Sequence, residues 1–313
     1  MRSPVKILIV GFGDVGKRVA KRLRNRYAVS ALVRSADHAR TARGMGVVPV
    51  RGDLRRPRSL QKIAGAADVI FHFAPPPGAG CHDTHTHHLL AALTRPSRDR
   101  SPSTEMHSPA TTRSYLLPQR LVYISTTGVY GDCGGEWIDE TRLLKPVTAR
   151  ARRRVDAERA LVAWGRHFGV IVSILRAPGI YADDRLPLER LRRGTPAMVA
   201  EDDVFTNHIH ADDLARAAIA AMRRGKAGRV YNVVDDSALS MADYFDRVAD
   251  AFELPRPPRI SRAEAAKILP PAMMSFMSES RRIGNIRLKR ELRFRLQHPS
   301  VGEFLRRISP ASR

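Results

Sequence analysis

The sequence predicts an α/β protein: a doubly wound parallel sheet with a smaller C-terminal cap. Three observations predict it. Short β-branched runs alternate with helical patterns from Val5 to Leu175. A glycine-rich turn joins the first run to the first helix. After Tyr181 the alternation loosens, as expected where a cap is interleaved with strands returning to the main sheet.

Val5–Val10 is an apolar run bounded by glycine and too short for a buried helix, so it reads as a strand covered on both faces. Gly11, Gly13 and Gly16 follow as G-x-G-x-x-G, interleaved with Phe12, Asp14 and Val15. Val15, Val19 and Leu23 then recur at helical spacing. In such a turn the first glycine allows the sharp bend, the second lets the backbone approach a diphosphate, and the third lets helix and strand pack closely. The helix start presents unpaired N–H groups and partial positive charge to the phosphates. The pattern therefore predicts a dinucleotide site. Its alternative is a packing turn that binds nothing.

Val29–Val33 reads as the second strand and ends on Arg34 and Ser35. About 20 residues past the glycines, an acidic side chain suits a ribose 2′-hydroxyl and a guanidinium suits a 2′-phosphate. Arg34 therefore favours NADP(H) over NAD(H), while Asp37 keeps the second open. Val47–Val50 is a third strand leading to Asp53 and Leu54, with a helix over Pro57–Ile63. A fourth strand, Asp68–Ala74, contains Phe73 and Ala74 and runs into Pro75. Ligands of such sheets lie beyond the carboxyl ends of the strands, which gathers these residues around one crevice.

Residues 78–118 read as an insertion with a short helix over Leu89–Leu93 and a solvated stretch over Arg95–Ser114. His82, His85, His87 and His88 precede that stretch without a matching carboxylate or cysteine set, so they read as a polar loop and no metal is expected. Leu121–Ser125 is the fifth strand, and Thr126 and Tyr130 follow in a crevice loop. A long helix is predicted over Thr148–Phe168 and a sixth strand over Val170–Leu175, leading to Pro178 and Tyr181. Beyond lie a short helix at Leu186–Arg193, a strand at Phe205–His210, helices at Ala211–Met222 and Met241–Phe252, a strand at Val230–Val234 and a basic helical tail. The expected division is a dinucleotide domain over 1–182 and a cap region over 183–313.

The chain carries 54 basic and 31 acidic residues, a formal charge of +23. The excess is arginine spread along helix faces, with no aromatic platform or helix-turn-helix pattern. It reads as a solvated surface with no specific nucleic acid partner. No apolar run nears the ~20 residues of a membrane span. Cys81 and Cys133 form no ligand-spaced pair, and the first strand leaves no room for a signal peptide, so a cytoplasmic protein is expected. The expected partner is a small-molecule substrate, with a homodimer the assembly allowed for.

Together with Gly52-Asp53-Leu54, Ser125-Thr126-Thr127-x-Val129-Tyr130-Gly131, Arg176-x-Pro178-Gly179-Ile180-Tyr181 and Asn207-x-Ile209-His210-x-Asp212-Asp213-Leu214-Ala215, the glycine turn resembles a known family. This is the extended or atypical short-chain dehydrogenase/reductases, the NAD-dependent epimerase/dehydratase group. The resemblance implies a Rossmann fold, an adenine contact by Asp53, a dinucleotide along Phe73–Pro75 and a nicotinamide near Pro178. It makes Thr126 the active-site hydroxyl. The family's Tyr-x-x-x-Lys pair falls here on Arg150 and Arg154, counted from Glu158. Arginine keeps its proton at neutral pH, so Arg150 cannot replace the phenol, while Arg154 can hold ribose or phosphate. Tyr130 and Tyr181 are the candidates for the missing acid, with core packing as their competing role.

Two functions fit these residues. One is an NADP(H)-dependent oxidoreductase or epimerase on a small hydroxyl or carbonyl compound, including a nucleotide-sugar-like one. The other is a non-catalytic NADP(H)-binding sensor or scaffold.

Overall fold

The protein is described from a computed structural model covering residues 4–95 and 115–309. The predicted solvated stretch over Arg95–Ser114 lies almost wholly outside the described residues. Seven strands form one sheet: β1 (Lys6–Val10), β2 (Ala28–Val33), β3 (Val48–Arg51), β4 (Val69–His72), β5 (Arg120–Thr126), β6 (Ile171–Ala177) and β7 (Arg229–Asn232). Their order is β3-β2-β1-β4-β5-β6-β7. This is the doubly wound order with the switch between β1 and β4. Pairing is parallel, with Ile7 opposite Val29 and Val69, and His72 opposite Tyr123. Ile7–Val10 are wholly buried, as a strand covered on both faces requires.

Helices α1 (Asp14–Leu23), α2 (Ala36–Gly44), α3 (Thr84–Leu93) and α4 (Ala149–Phe168) connect the strands. The sequence pattern missed α2, which buries only Ala39 and Ala42 and has no apolar stripe. It starts instead on a local device, the Ser35 hydroxyl accepting from the His38 amide. The segment over Pro57–Ile63 is a 3₁₀ turn. Helix α3 begins before the predicted Leu89, at an Asp83 cap that accepts from the Thr86 amide.

The described residues divide into two compact units, and the division differs from a single boundary at residue 182. The first lies within Met1–Ile124, Arg153–Ile174 and Ala221–Arg229; the second within Ser125–Arg152, Leu175–Ala220 and Val230–Arg313. The chain changes unit near the carboxyl ends of β5 and β6, so the segments leaving those strands belong to the second unit. That unit contains α5 (Ala211–Arg224) as far as Ala220, the last turn of α5 belonging to the first unit, together with α6 (Met241–Ala251) and α7 (Val301–Ile308). Tyr181, Leu191, Phe245, Val248 and Phe304 share its core. The predicted strand over Phe205–His210 is two, Phe205–Thr206 and His208–His210. Asn207 separates them, donating to the Arg281 carbonyl and accepting from the Ile283 amide at 3.0 Å.

Asp213, in the first turn of α5, is wholly buried. Its carboxylate accepts from the Gln297 and His298 amides at 3.0 and 2.8 Å and pairs with Arg216. It thereby fixes the approach to α7. Replacing it with alanine leaves those part-buried amides and Arg216 without their acceptor, and Asp213→Ala should cost about 2 kcal/mol. Urea unfolding checks this, and a change below about 0.5 kcal/mol, the scale of an ordinary surface substitution, would refute the role.

Candidate functional site

Residues Gly11, Phe12, Gly13, Arg34, Asp53, Leu54, Ala74 and Pro75 line one cleft of about 280 Å³ in the first unit. Gly11 has φ +102°, and a Cβ there would lie 2.3 Å from the Ala74 nitrogen. The Val10 carbonyl accepts from the Phe73 and Ala74 amides at 2.7 and 3.0 Å, which draws the two backbones together. A Cβ on Gly16 would meet the Gly11 oxygen at 2.5 Å. Gly13 is different: nothing lies within 4 Å of the place its Cβ would take. It caps α1 without a side-chain hydrogen bond, so the first amides of the helix carry no side-chain cap. Asp14 pairs with Arg18 at 2.8 Å.

Arg34 is exposed at the end of β2 and makes no hydrogen bond or ion pair among the described residues. Asp37 is paired with Arg40 and lines no part of this cleft. The Asp53 carboxyl is held low by the Arg55 side chain, which donates to it from Nε and Nη2. Asp14, Val15, Gly16, Ser35 and Phe73 stand behind the lining, in the helix and strand that shape it.

His38 and His85 line the cleft and were not anticipated there. The four clustered histidines divide among three partners. His82 and His87 bracket the Asp156 carboxylate at 3.1 and 2.9 Å. His85 meets the Pro75 carbonyl at 3.0 Å, and His88 meets that of Leu54 at 2.6 Å.

A second cavity, of about 610 Å³, lies in the second unit. Thr126 and Pro178 line it, and so does Arg150. The Thr126 hydroxyl accepts from the Gly128 amide at 3.2 Å, which leaves its proton to donate elsewhere. Arg185, Arg190 and Arg281 complete a cationic wall.

Tyr130 and Tyr181 depart from their expected role, for one physical reason. Tyr130 is wholly buried; its hydroxyl donates to Asn232 Oδ1 at 2.7 Å and accepts from Arg176 at 2.9 Å. Tyr181 packs among His208, His210 and Phe304. Burial raises the pKa of both hydroxyls, Tyr181 beyond the ordinary tyrosine range, and neither lines the cavity. Arg154 is likewise committed within the first unit: its guanidinium donates to Tyr123 Oη at 2.8 Å and to the Ile124 carbonyl at 2.9 Å. It braces β5, which departs from the ribose or phosphate role expected of it.

A profile of the NAD dependent epimerase/dehydratase family matches residues 7–234. The chain belongs to that family. Among relatives, a 4-hydroxy-2-methyl-3-oxo-4-farnesyl-3,4-dihydroquinoline-1-oxide ketoreductase of Stigmatella aurantiaca is 26% identical over 245 residues, 75% of this chain and 69% of that protein. A dTDP-glucose 4,6-dehydratase of Streptomyces niveus is 24% identical over 208 residues, 64% of this chain and 59% of that one. Among solved structures, a functionally unknown conserved protein of Silicibacter pomeroyi superposes with a TM-score of 0.76 at 25% identity, covering 98% and 99% of the two chains. Within the family frame, the first unit's cleft has what a dinucleotide's diphosphate requires: bare backbone at Gly13 and a helix start without a side-chain cap. No helix among the described residues is long and apolar enough to cross a membrane.

Two glycine variants separate packing from binding. Gly13→Asp has open space and extended backbone, and aspartate is a good N-cap, so stability should hold or rise by up to about 1 kcal/mol. Its carboxylate should abolish NAD(P) binding. Gly11→Ala should instead lower the melting temperature, because its methyl group has no room. Calorimetry with and without NADPH distinguishes them, and retained NADPH affinity in Gly13→Asp would refute the site.

Proposed function

We propose that this chain is an NADP(H)-dependent oxidoreductase that reduces a small carbonyl compound, with the dinucleotide held by the first unit and the substrate by the second. The observation that carries this reading is that Thr126, with its proton available, and Arg150 line one substrate-sized cavity. When bound, the reduced dinucleotide supplies a hydride. Thr126 donates a hydrogen bond to the substrate oxygen. As the carbonyl π pair moves onto that oxygen, the permanently charged Arg150 guanidinium stabilises the developing negative charge. Arginine does not release its proton, so water protonates the product. A reduction tolerates the missing phenol better than an epimerisation does, because its alkoxide needs no precisely timed acid. Arg34, exposed in this cleft with no salt bridge of its own though its charge is felt by Asp53, supports NADP(H) as the preferred dinucleotide.

Fluorescence titration with NADPH and NADH, followed by NADPH consumption over a panel of ketones and aldehydes, tests the reading. NADPH should bind the more tightly. Arg34→Asp should weaken NADPH at least about tenfold, ~1.4 kcal/mol, with a smaller effect on NADH; equal losses would remove Arg34 from the argument. Thr126→Val should lower kcat about 100-fold with NADPH affinity unchanged. Tight NADPH binding with no turnover across the panel would assign the chain to sensing.

A further inference from the structure

The second unit's cavity contains a cation that no carboxylate of the protein pairs with among the described residues. Arg190, on the short helix Leu188–Arg192, lines it and is partly buried. Its Nη2 donates to the Pro196 carbonyl at 2.5 Å, Nη1 points at the Met273 sulfur, and the guanidinium carbon sits 4.5 Å from the centre of the Phe245 ring. Its Nε is buried with no partner. Burial depresses the pKa of the guanidinium, with no neighbouring charge opposing the effect. Glu279, the one carboxylate among the described lining residues, is engaged by Arg281 at 2.7 Å. A desolvated cation without an anion is costly, and a bound anion would relieve that cost.

Apolar side chains stand beside Arg190 in this cavity. Met273, Met277 and Phe245 line the same cavity, and thioether side chains adapt to flat or branched apolar shapes. The volume of about 610 Å³ is in the range of small-molecule sites, ~300–1,000 Å³.

We infer that this cavity takes a keto acid, its carboxylate on Arg190 and its apolar or aromatic body against Met273, Met277 and Phe245. The inference rests on the second unit being the substrate site of the proposed reduction. It makes Arg190 a specificity residue for the anion, separate from the Thr126 hydroxyl that polarises the carbonyl.

The test uses the full chain saturated with NADPH, whose binding is verified first by fluorescence. Phenylpyruvate, 2-oxooctanoate and 3-benzoylpropionate are then titrated by calorimetry beside their methyl esters and beside UDP-glucose. At least one acid should bind at least about tenfold more tightly than its ester. Arg190→Gln should erase that difference while leaving ester and NADPH affinity unchanged. If no acid exceeds its ester, or if UDP-glucose binds more tightly than every acid, the inference falls. The acid–ester comparison needs only the unaltered protein, so a variant that fails to fold does not remove the test. Failure of NADPH to bind would instead overturn the proposed function.

Discussion

The fold rests on a close approach of two backbones at the ends of β1 and β4. One carbonyl, that of Val10, receives two amides from the segment leaving β4, and the turn after β1 then has no room for a side chain at Gly11. The bend that results lets the chain enter α1 on Gly13, a residue that caps the helix with nothing. Close packing and the bare helix start therefore have the same origin. The glycines needed to bring the strands together also expose the amides that face the cleft.

The arginines at the family's tyrosine and lysine positions have taken different directions. Arg154 is drawn into the first unit, where it braces β5 through the Tyr123 hydroxyl and the Ile124 carbonyl. Arg150 lines the second unit's cavity. One arginine thus belongs to the scaffold, and the other faces a cavity. The tyrosines near the crevice loops do not compensate, since Tyr130 is bound to Asn232 and Arg176 and Tyr181 lies among aromatic rings.

The parts legible in the sequence were those whose physics is local. The strand at Ile7–Val10, the glycine turn and Arg34 each declare themselves within a few residues, because burial on both faces, tight bending and strand-end position leave a short-range pattern. Helix α2 was illegible because it buries two alanines and has no apolar stripe to count. Asn207 looked like part of a strand; only the distant Arg281 and Ile283 backbones reveal it as a break. The environment of Arg190 was beyond reach for the same reason: Phe245 and Met273 join it from far along the chain. Nothing in the neighbouring sequence announces an uncompensated charge.

The alternation of the chain between units has a consequence for how such proteins diversify. Five crossings thread the two units through one another along the sequence, although each is compact in space. Neither can be cut out, donated or replaced as one uninterrupted stretch of gene. A change in the second unit must be written piecemeal into three stretches, beginning at Ser125, Leu175 and Val230, while the glycine turn near the amino terminus is left untouched. Such an arrangement favours point substitution over domain exchange.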